Sequence, residues 1–317
     1  MNATPSEPLV SIVILNYRRR QALERCLASA RMQTYSQREI IVADNASGDG
    51  LAAYLQARWP EVRLIELDSN RGATGGRNAG IRAARGDLIV TVDNDIYFES
   101  TEEITRLARA FAAHPEVAVI ACQLCDELTG EVRPREWCHT RPLEQFRHEA
   151  FETHYFIEGA SAYRREVFAR VGGYWEPIFL CAEGDELGLR ILDAGFRIRF
   201  EPGIRLRHLM SPETRGRGRC IKLQTRNYIW IAYKDFRWRP GCAYLARNLA
   251  LMAYFALRNR QLDDYLRGLW QGVAGLGRVR RERTPVGPAT LRYLREMERW
   301  RPSLRARLRR HRENIQL

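Results

Sequence analysis

The segment 88–95 reads Leu88-Ile89-Val90-Thr91-Val92-Asp93-Asn94-Asp95, an apolar run that ends in two carboxylates separated by one residue. The apolar residues predict a buried strand of a parallel sheet. Asp93 and Asp95 then follow the carboxyl end of that strand, where open α/β sheets place their ligands. Two carboxylates there can hold Mg²⁺ or Mn²⁺ together with the phosphates of a bound nucleotide. Asp and Asn are also common in turns and helix caps, so a plain turn is the alternative.

Strands and helices alternate on both sides of this segment. Apolar runs predict strands at 9–16, 39–43, 62–67 and 88–92. Helical spacing of apolar residues or a helix start predicts helices at 19–32, 51–59, 77–85 and from about Ser100. This order predicts a Rossmann-like α/β fold in which helices cover both faces of a mainly parallel central sheet.

Polar residues follow the carboxyl ends of the predicted strands, which lie along one edge of a parallel sheet. Asp44 is suited to accept a hydrogen bond from a nucleobase or a ribose hydroxyl. The glycine-rich segment 70–80 can bring backbone amides and guanidinium groups to a diphosphate, or its glycines can allow close packing of a helix on the sheet. The predicted nucleotide pocket comprises Asn16, Tyr17, Asp44, Asn70, Arg71, Arg77, Asn78, Asp93 and Asn94.

Two common nucleotide-binding fingerprints are missing from the chain. No Gly-x-Gly-x-x-Gly follows the first predicted strand, and no Gly-x-x-x-x-Gly-Lys-Ser/Thr occurs anywhere. Both absences argue against a dehydrogenase and a P-loop nucleotidase.

Seven cysteines at irregular spacing indicate a reducing compartment rather than a disulfide framework. Cys122-x-x-Cys125 and Cys138-His139 lack a second well-spaced pair of ligands, so buried free thiols are favoured over a zinc site. The N-terminal residues do not form the basic and apolar regions of a signal peptide. We therefore expect a cytoplasmic location.

The net charge of +13 is concentrated near the C-terminus, because residues 238–317 contain 18 Arg and 6 Asp or Glu. Such a surplus is typical of a solvated helical face or of a surface that contacts anions. We expect no nucleic-acid partner.

The apolar run 249–257 is too short to span a bilayer. It is expected to pack on the rest of the protein or, with the nearby arginines, to contact an anionic membrane peripherally at the inner face of the cell.

Several segments taken together resemble the family 2 glycosyltransferases, which have the GT-A fold. They are VSIVILNYRR (10–19), IIVADNASGD (40–49), NRGATGGRNAGI (70–81), DLIVTVDNDI (87–96) and the stretch 157–202, followed by His208. The resemblance covers about residues 9–230, and the ordered set of motifs is far more specific than any one of them.

The domain prediction follows the same division of the chain. A GT-A catalytic domain is expected over 1–212, with a nucleotide-binding half at about 9–122 and an acceptor half at about 123–212. A basic loop and helix at 213–237 and an Arg-rich helical extension at 238–317 are expected to follow.

The resemblance implies an inverting hexosyl- or deoxyhexosyltransferase. Its donor would be a nucleotide-diphosphate sugar, with UDP- or dTDP-linked sugars favoured, and its acceptor a hydroxyl of a glycan, a lipid-linked saccharide or a small molecule. Asp44 would contact the donor base. Asp93 and Asp95 would hold Mn²⁺ or Mg²⁺ on the diphosphate, and His208 would help to bind this metal. The cation would stabilise the charge that grows on the leaving group.

The segment expected to supply the base that deprotonates the acceptor hydroxyl departs most from the family pattern. The family places it at the Asp of a Glu-Asp-x-Asp-Leu type segment, and this chain has Gly184 at that position. Asp185 is the first choice for the base and Glu183 the second, because both lie near the start of the helix predicted at 186–194. The alternative is that these acids only cap the helix. Trp175 is a candidate platform for an acceptor sugar, or else a core residue.

Two other functions are consistent with these motifs. A sugar nucleotidyltransferase shares the architecture, but it would require a Gly-x-Gly-Thr-Arg loop where residues 16–20 read Asn-Tyr-Arg-Arg-Arg. A catalytically inactive nucleotide-sugar-binding protein would keep Asp93 and Asp95 and would have lost its base at Gly184.

Overall fold

The computed structural model describes residues 7–134, 136–209 and 217–302. Nine strands in this part of the chain form one sheet. They are β1 (Val10–Asn16), β2 (Arg38–Asp44), β3 (Arg63–Glu66), β4 (Leu88–Asp93), β5 (Ile96–Phe98), β6 (Val117–Asp126), β7 (Phe151–Glu152), β8 (Ala160–Arg164) and β9 (Arg197–His208). Their order across the sheet is β3-β2-β1-β4-β8-β6-β9-β5, and β7 pairs with β9.

The sheet is mainly parallel, as the sequence predicts. Strands β3, β2, β1 and β4 run parallel to one another. β8 is antiparallel to both β4 and β6, and β6 is parallel to β9. The register pairs Asn16 with Asp44 and Leu15 with Asp93. The polar ends of β2, β1 and β4 therefore lie side by side.

Twelve α-helices are present in the described residues. They are α1 (Arg20–Arg31), α2 (Leu51–Arg58), α3 (Gly72–Ala83), α4 (Glu103–Ala113), α5 (Leu143–Phe146), α6 (Arg165–Val171), α7 (Glu183–Asp193), α8 (Arg217–Asp235), α9 (Trp238–Arg258), α10 (Leu262–Ala274), α11 (Leu276–Val279) and α12 (Pro288–Glu298). Side chains of α1, α2 and α4 form the core on one face of the sheet. Side chains of α3, α6, α7, α8 and α12 form the core on the other face.

Helix α3 begins at Gly72, five residues earlier than predicted. Gly76 and Gly80 lie so close to Leu15 and Val13 of β1 that a Cβ atom on either glycine would overlap those side chains. These two glycines therefore allow the helix to pack closely against the sheet, which was one of the two interpretations of the segment.

The C-terminal helices pack onto the α/β unit and onto one another. Trp230 and Ile231 of α8 belong to the core beneath the sheet, and Leu251 and Met252 of the apolar run 249–257 are buried. None of the helices in the described ranges is long and apolar enough to cross a membrane. Most of the predicted basic loop, residues 213–216, lies outside the described residues. The cysteines are free thiols, and Cys122 and Cys125 are buried.

Candidate functional site

A cavity of about 900 Å³, the strand-end cavity, lies where β4 and β9 end. It brings together six of the predicted site residues: Arg77, Asp93, Asp95, Glu183, Asp185 and His208. Side chains of α8 and α9, among them Tyr228 and Leu251, form the opposite wall. The lining therefore combines charged groups at the strand ends with polar and apolar side chains of the helices.

The side chains of Asp95 and His208 lie next to each other in the wall of the cavity. The two residues are neighbours because β5, which follows Asp95 directly, pairs with the end of β9. His208 Nε2 lies 3.9 Å from Asp95 Oδ2, and His208 Nδ1 lies 2.7 Å from Glu136 Oε1. Burial opposes protonation of His208, but the nearby carboxylates of Asp95 and Glu136 outweigh burial and raise its pKa to about 9. Arg19 also forms an ion pair with Asp95.

The donor atoms of this pair fit a divalent cation. Asp95 Oδ2 and His208 Nε2 lie 3.9 Å apart, so both could reach one cation once the imidazole has lost its proton, which metal binding requires. Glu136 fixes the ring so that Nε2 faces Asp95, as carboxylates commonly do behind metal-bound histidines. No cluster of three or more His, Cys, Asp or Glu side chains suited to a metal occurs in the ranges that the structure describes. Mg²⁺ and similar cations commonly use one or two carboxylates together with substrate phosphates.

Arg77 links the two acidic ends of the site. Its guanidinium donates to Asp93 Oδ1 over 2.6 Å and to Glu183 Oε1 over 3.1 Å. Burial would lower the pKa of Arg77, but the charges of Asp93 and Glu183 raise it above its ordinary value. Arg77 therefore stays a cation and forms an ion pair with each of the two carboxylates.

The segment before α7 has a strained backbone. Phe179, Cys181 and Ala182 have φ angles of +66°, +69° and +65°, which side-chain-bearing residues rarely adopt. The buried Asn227 of α8 holds this segment, since its Nδ2 donates to Leu180 O over 2.9 Å and to Cys181 O over 2.7 Å. Helix α8 thereby fixes the first turn of α7 against the cavity.

The acids of that first turn have different surroundings. Helix α7 begins at Glu183, three residues earlier than predicted, and no side chain caps it. Glu183 is buried and bound to Arg77. Asp185 lines the cavity, and no hydrogen bond or ion pair to its carboxylate is found within the described residues. Burial raises the pKa of Asp185 to about 6, although Arg301 and Arg247 oppose this shift.

Glu158 fills the space beside Gly184. The amide of Gly184 donates to Glu158 Oε1, and a Cβ atom at position 184 would lie 2.5 Å from the same oxygen. Burial raises the pKa of Glu158 to about 8, with Glu183 adding to the shift and Arg77 opposing it. The carboxyl group of Glu158 therefore occupies the place that a side chain at position 184 would take.

The predicted nucleoside residues form a separate hydrogen-bonded group at the ends of β1, β2 and β4. Asn16 Nδ2 donates to Asp44 Oδ1 over 2.8 Å, and Asn94 Nδ2 donates to Asn16 Oδ1 over 2.7 Å. The amide of Ser47 donates to Asp44 Oδ2 over 2.9 Å. Tyr17, beside this group, is exposed.

Four further predicted residues lie outside the strand-end cavity. Asn78 is buried and exchanges two hydrogen bonds of 2.8 Å with the backbone of Tyr174. Arg71 pairs with Glu176 over 2.6 Å, and the side-chain oxygen of Asn70 accepts a hydrogen bond from Gly72 N over 2.9 Å.

Trp175, the fourth of these residues, packs edge-on against Trp230 in the core and is 9% exposed. The indole thus presents no open ring face to an acceptor sugar, and we do not retain that role for Trp175.

Sequence reasoning missed four residues of the cavity and its surroundings: Arg19, Glu136, Glu158 and Arg301. Glu158 precedes β8, which is antiparallel to β4, so the start of β8 lies at the same edge of the sheet as the end of β4. Glu136 and Arg301 come from segments without helical or strand periodicity.

Comparison with known proteins identifies the family. Residues 11–172, about half of the chain, match the family model described as glycosyl transferase family 2. The succinoglycan biosynthesis protein ExoO of Rhizobium meliloti is 30% identical over 227 residues, which cover 70% of this chain and 60% of that protein. The uncharacterized glycosyltransferase EpsJ of Bacillus subtilis is 31% identical over 205 residues, covering 61% of this chain and 58% of EpsJ. The chain thus spans about three fifths of the length of these relatives.

Solved structures show the same fold. The mannosyltransferase PcManGT from Pyrobaculum calidifontis, in complex with GDP-Man and Mn²⁺, matches with a TM-score of 0.59 and 19% identity over 86% of this chain and 76% of that one. Residues 1–349 of S. aureus TarS, in complex with UDP-GlcNAc, match with a TM-score of 0.59 and 16% identity over 87% and 82% of the two chains.

Proposed function

Because the chain belongs to glycosyl transferase family 2, we propose that it transfers a sugar from a nucleotide-diphosphate sugar to an acceptor hydroxyl with the help of a divalent cation. One observation carries this proposal: Asp95 and His208, oriented by Glu136, face each other in the cavity that also contains Asp93 and Asp185. The complexes of PcManGT with GDP-Man and Mn²⁺ and of TarS with UDP-GlcNAc support the same class of donor.

Asp93, Asp95 and His208 are the residues that would hold the cation, Mn²⁺ or Mg²⁺. When bound, the cation would stabilise negative charge on the diphosphate leaving group. Arg77 keeps Asp93 in a fixed position and adds a buried positive charge to the same wall. Asp44, with Asn16 and Asn94, would bind the nucleoside of a UDP- or dTDP-linked donor at the neighbouring strand ends.

We assign the proton acceptor to Asp185 rather than Glu183. Glu183 is bound to Arg77, and a proton on it would break a buried ion pair. Asp185 carries no such pair in the described residues and lines the cavity. In the proposed step, the acceptor oxygen forms a bond to the anomeric carbon and gives its proton to Asp185. The bond between that carbon and the diphosphate oxygen breaks on the opposite face, which inverts the configuration.

A thermal-shift screen of nucleotide sugars with and without Mn²⁺ tests this function. We expect one donor to raise the melting temperature only when Mn²⁺ is present, because a ligand stabilises the folded state to which it binds. Transfer of the sugar from that donor to an acceptor, or to water, then separates an enzyme from an inactive binding protein. Donor binding without any turnover would favour the inactive protein, and no donor binding would contradict both.

We further propose that α10 contacts an anionic membrane surface. Leu262, Leu266, Trp270 and Val273 form one stripe of this helix and are 43–70% exposed. Gly268 and Gly272, on the opposite side, pack against α8. Exposed arginines follow the helix at positions 278, 280, 281 and 283. A stripe of Leu and Trp beside arginines is typical of helices that lie in the interface of an anionic bilayer.

Flotation with lipid vesicles tests the membrane contact. The wild-type protein should float with anionic vesicles at low salt, and Trp270→Glu should abolish flotation, because a carboxylate opposes both insertion and the anionic surface. Leu128→Glu, at a side chain 87% exposed far along the chain from α10, is the matched control and should float normally. A wild-type protein that stays unbound would contradict the proposal.

A further inference from the structure

A second cavity, the helical cavity, of about 550 Å³ lies between α7, α9 and α12. Tyr155 and Asp185 line both this cavity and the strand-end cavity, so the two adjoin at the proposed proton acceptor. The walls of the helical cavity are mostly apolar and include Leu189, Phe236, Pro240, Ala243, Leu291 and Leu294. Its volume is in the range of cavities that bind small molecules.

Three buried polar atoms in the lining of the helical cavity have no hydrogen-bond partner within the described residues. They are His154 Nδ1, the Tyr244 hydroxyl and Arg247 Nε. Buried polar atoms are normally hydrogen-bonded, so these three atoms are available to bind a water molecule or polar atoms of a ligand. A mostly apolar cavity with a few convergent polar groups is typical of a small-molecule site.

The state of His154 follows from its neighbours. His154 Nε2 lies 3.1 Å from Glu298 Oε1, and burial lowers the pKa of His154 even though Glu298 opposes this shift. Burial would raise the pKa of Glu298, but hydrogen bonds from His154 and Arg301 lower it. The imidazole is therefore neutral, with its proton on Nε2, and Nδ1 can accept a hydrogen bond from a ligand hydroxyl.

We propose that the helical cavity holds the apolar aglycone of a glycoside acceptor, whose reacting hydroxyl lies at Asp185. This proposal rests on the proposed function. The apolar walls would contact the aglycone, and His154, Tyr244 and Arg247 would bind polar atoms of the same molecule. Lipid-linked saccharides and aromatic glycosides share this chemistry.

Acceptors that differ only in the aglycone test the proposal. With the donor found in the thermal-shift screen, we would measure KM for a panel of acceptor sugars. Each sugar would be supplied as its methyl, hexyl and phenyl glycoside. Each buried CH₂ group is worth about fourfold in affinity, so the better apolar glycoside should have a KM at least about tenfold below that of the methyl glycoside. Preference for hexyl indicates a lipid-linked acceptor, and preference for phenyl an aromatic one. Equal KM values for all three would overturn the proposal.

A cavity-filling variant gives a readout that does not depend on turnover. Hexyl and phenyl glycosides should stabilise the wild-type protein in a thermal-shift assay, and Leu291→Trp should reduce this stabilisation, because the larger side chain narrows the cavity. Ala243→Phe, at an exposed edge of the same lining, serves if Leu291→Trp does not fold. Leu128→Trp, remote from the cavity, is the matched control. Stabilisation that is undiminished in both variants, or that never occurs, would overturn the proposal.

These measurements separate the two hypotheses. If the wild-type protein binds glycosides but no nucleotide-sugar donor, the helical cavity remains a ligand site and the proposed function is refuted. Donor binding and turnover without any aglycone preference would refute the helical cavity alone.

Discussion

Replacing Asp95 with asparagine should lower metal-dependent turnover at least about 100-fold, because removal of a metal ligand loses several kcal/mol of charge stabilisation on the leaving group. Asparagine keeps the shape of the side chain but loses the negative charge that faces His208 and Arg19. We expect the Mn²⁺-dependent thermal shift of the donor to shrink in parallel. The measurements are kcat as a function of Mn²⁺ concentration and the melting temperature with donor.

The matched control for Asp95→Asn is Asp87→Asn. Asp87 precedes β4, at the opposite end of the strand from Asp93, and its side chain is 64% exposed in a surface pair with Arg165. Surface pairs of this kind contribute little to stability, so this variant should keep both activity and melting temperature. An Asp95→Asn protein with normal Mn²⁺-dependent turnover would exclude Asp95 as a metal ligand.

Replacing Asp185 with asparagine should lower kcat at least about 100-fold while leaving donor binding unchanged, because a positioned general base typically contributes that much. Since burial raises the pKa of Asp185 to about 6, the carboxyl is protonated and inactive at lower pH. The wild-type rate should therefore increase as the pH rises through about 6 and level off above it. Asp185→Asn should lose this dependence. The measurements are kcat over pH and the thermal shift of the donor.

Glu183→Gln distinguishes a base from a structural carboxylate. This change removes one of the two partners of the buried Arg77, so it should weaken donor binding and lower the melting temperature without removing the acid limb of the pH profile. If Asp185→Asn and Glu183→Gln both turn over normally, the proton acceptor lies elsewhere.

Much of the fold follows from local patterns in the first 93 residues. Predicted strands 9–16 and 88–92 correspond to Val10–Asn16 and Leu88–Asp93, because each predominantly apolar run is long enough for one strand only. The start of α3 was harder to place, since glycines usually interrupt a helix and here Gly76 and Gly80 are required for its contact with β1.

The candidate site was predictable where residues lie at or just after strand ends, as Asp93, Asp95 and His208 do. It was not predictable where contacts join distant segments. Glu136 reaches His208 from an irregular segment, and Arg301 comes from beyond the last described helix. Trp175 is the opposite case, because an aromatic residue beside acids looks like a sugar platform until the packing of Trp230 against it is known. None of these contacts between distant segments produces a periodic pattern in the sequence.

The contact between Glu158 and Gly184 constrains how this protein can evolve. A side chain at position 184 and the carboxylate at position 158 compete for one volume, so each position determines which residues the other accepts. An aspartate introduced at 184 alone would overlap Glu158, whereas the same change combined with a shorter residue at 158 would have room. The two positions are therefore coupled, and we expect Gly184→Asp to be better tolerated when Glu158 is replaced by a shorter residue.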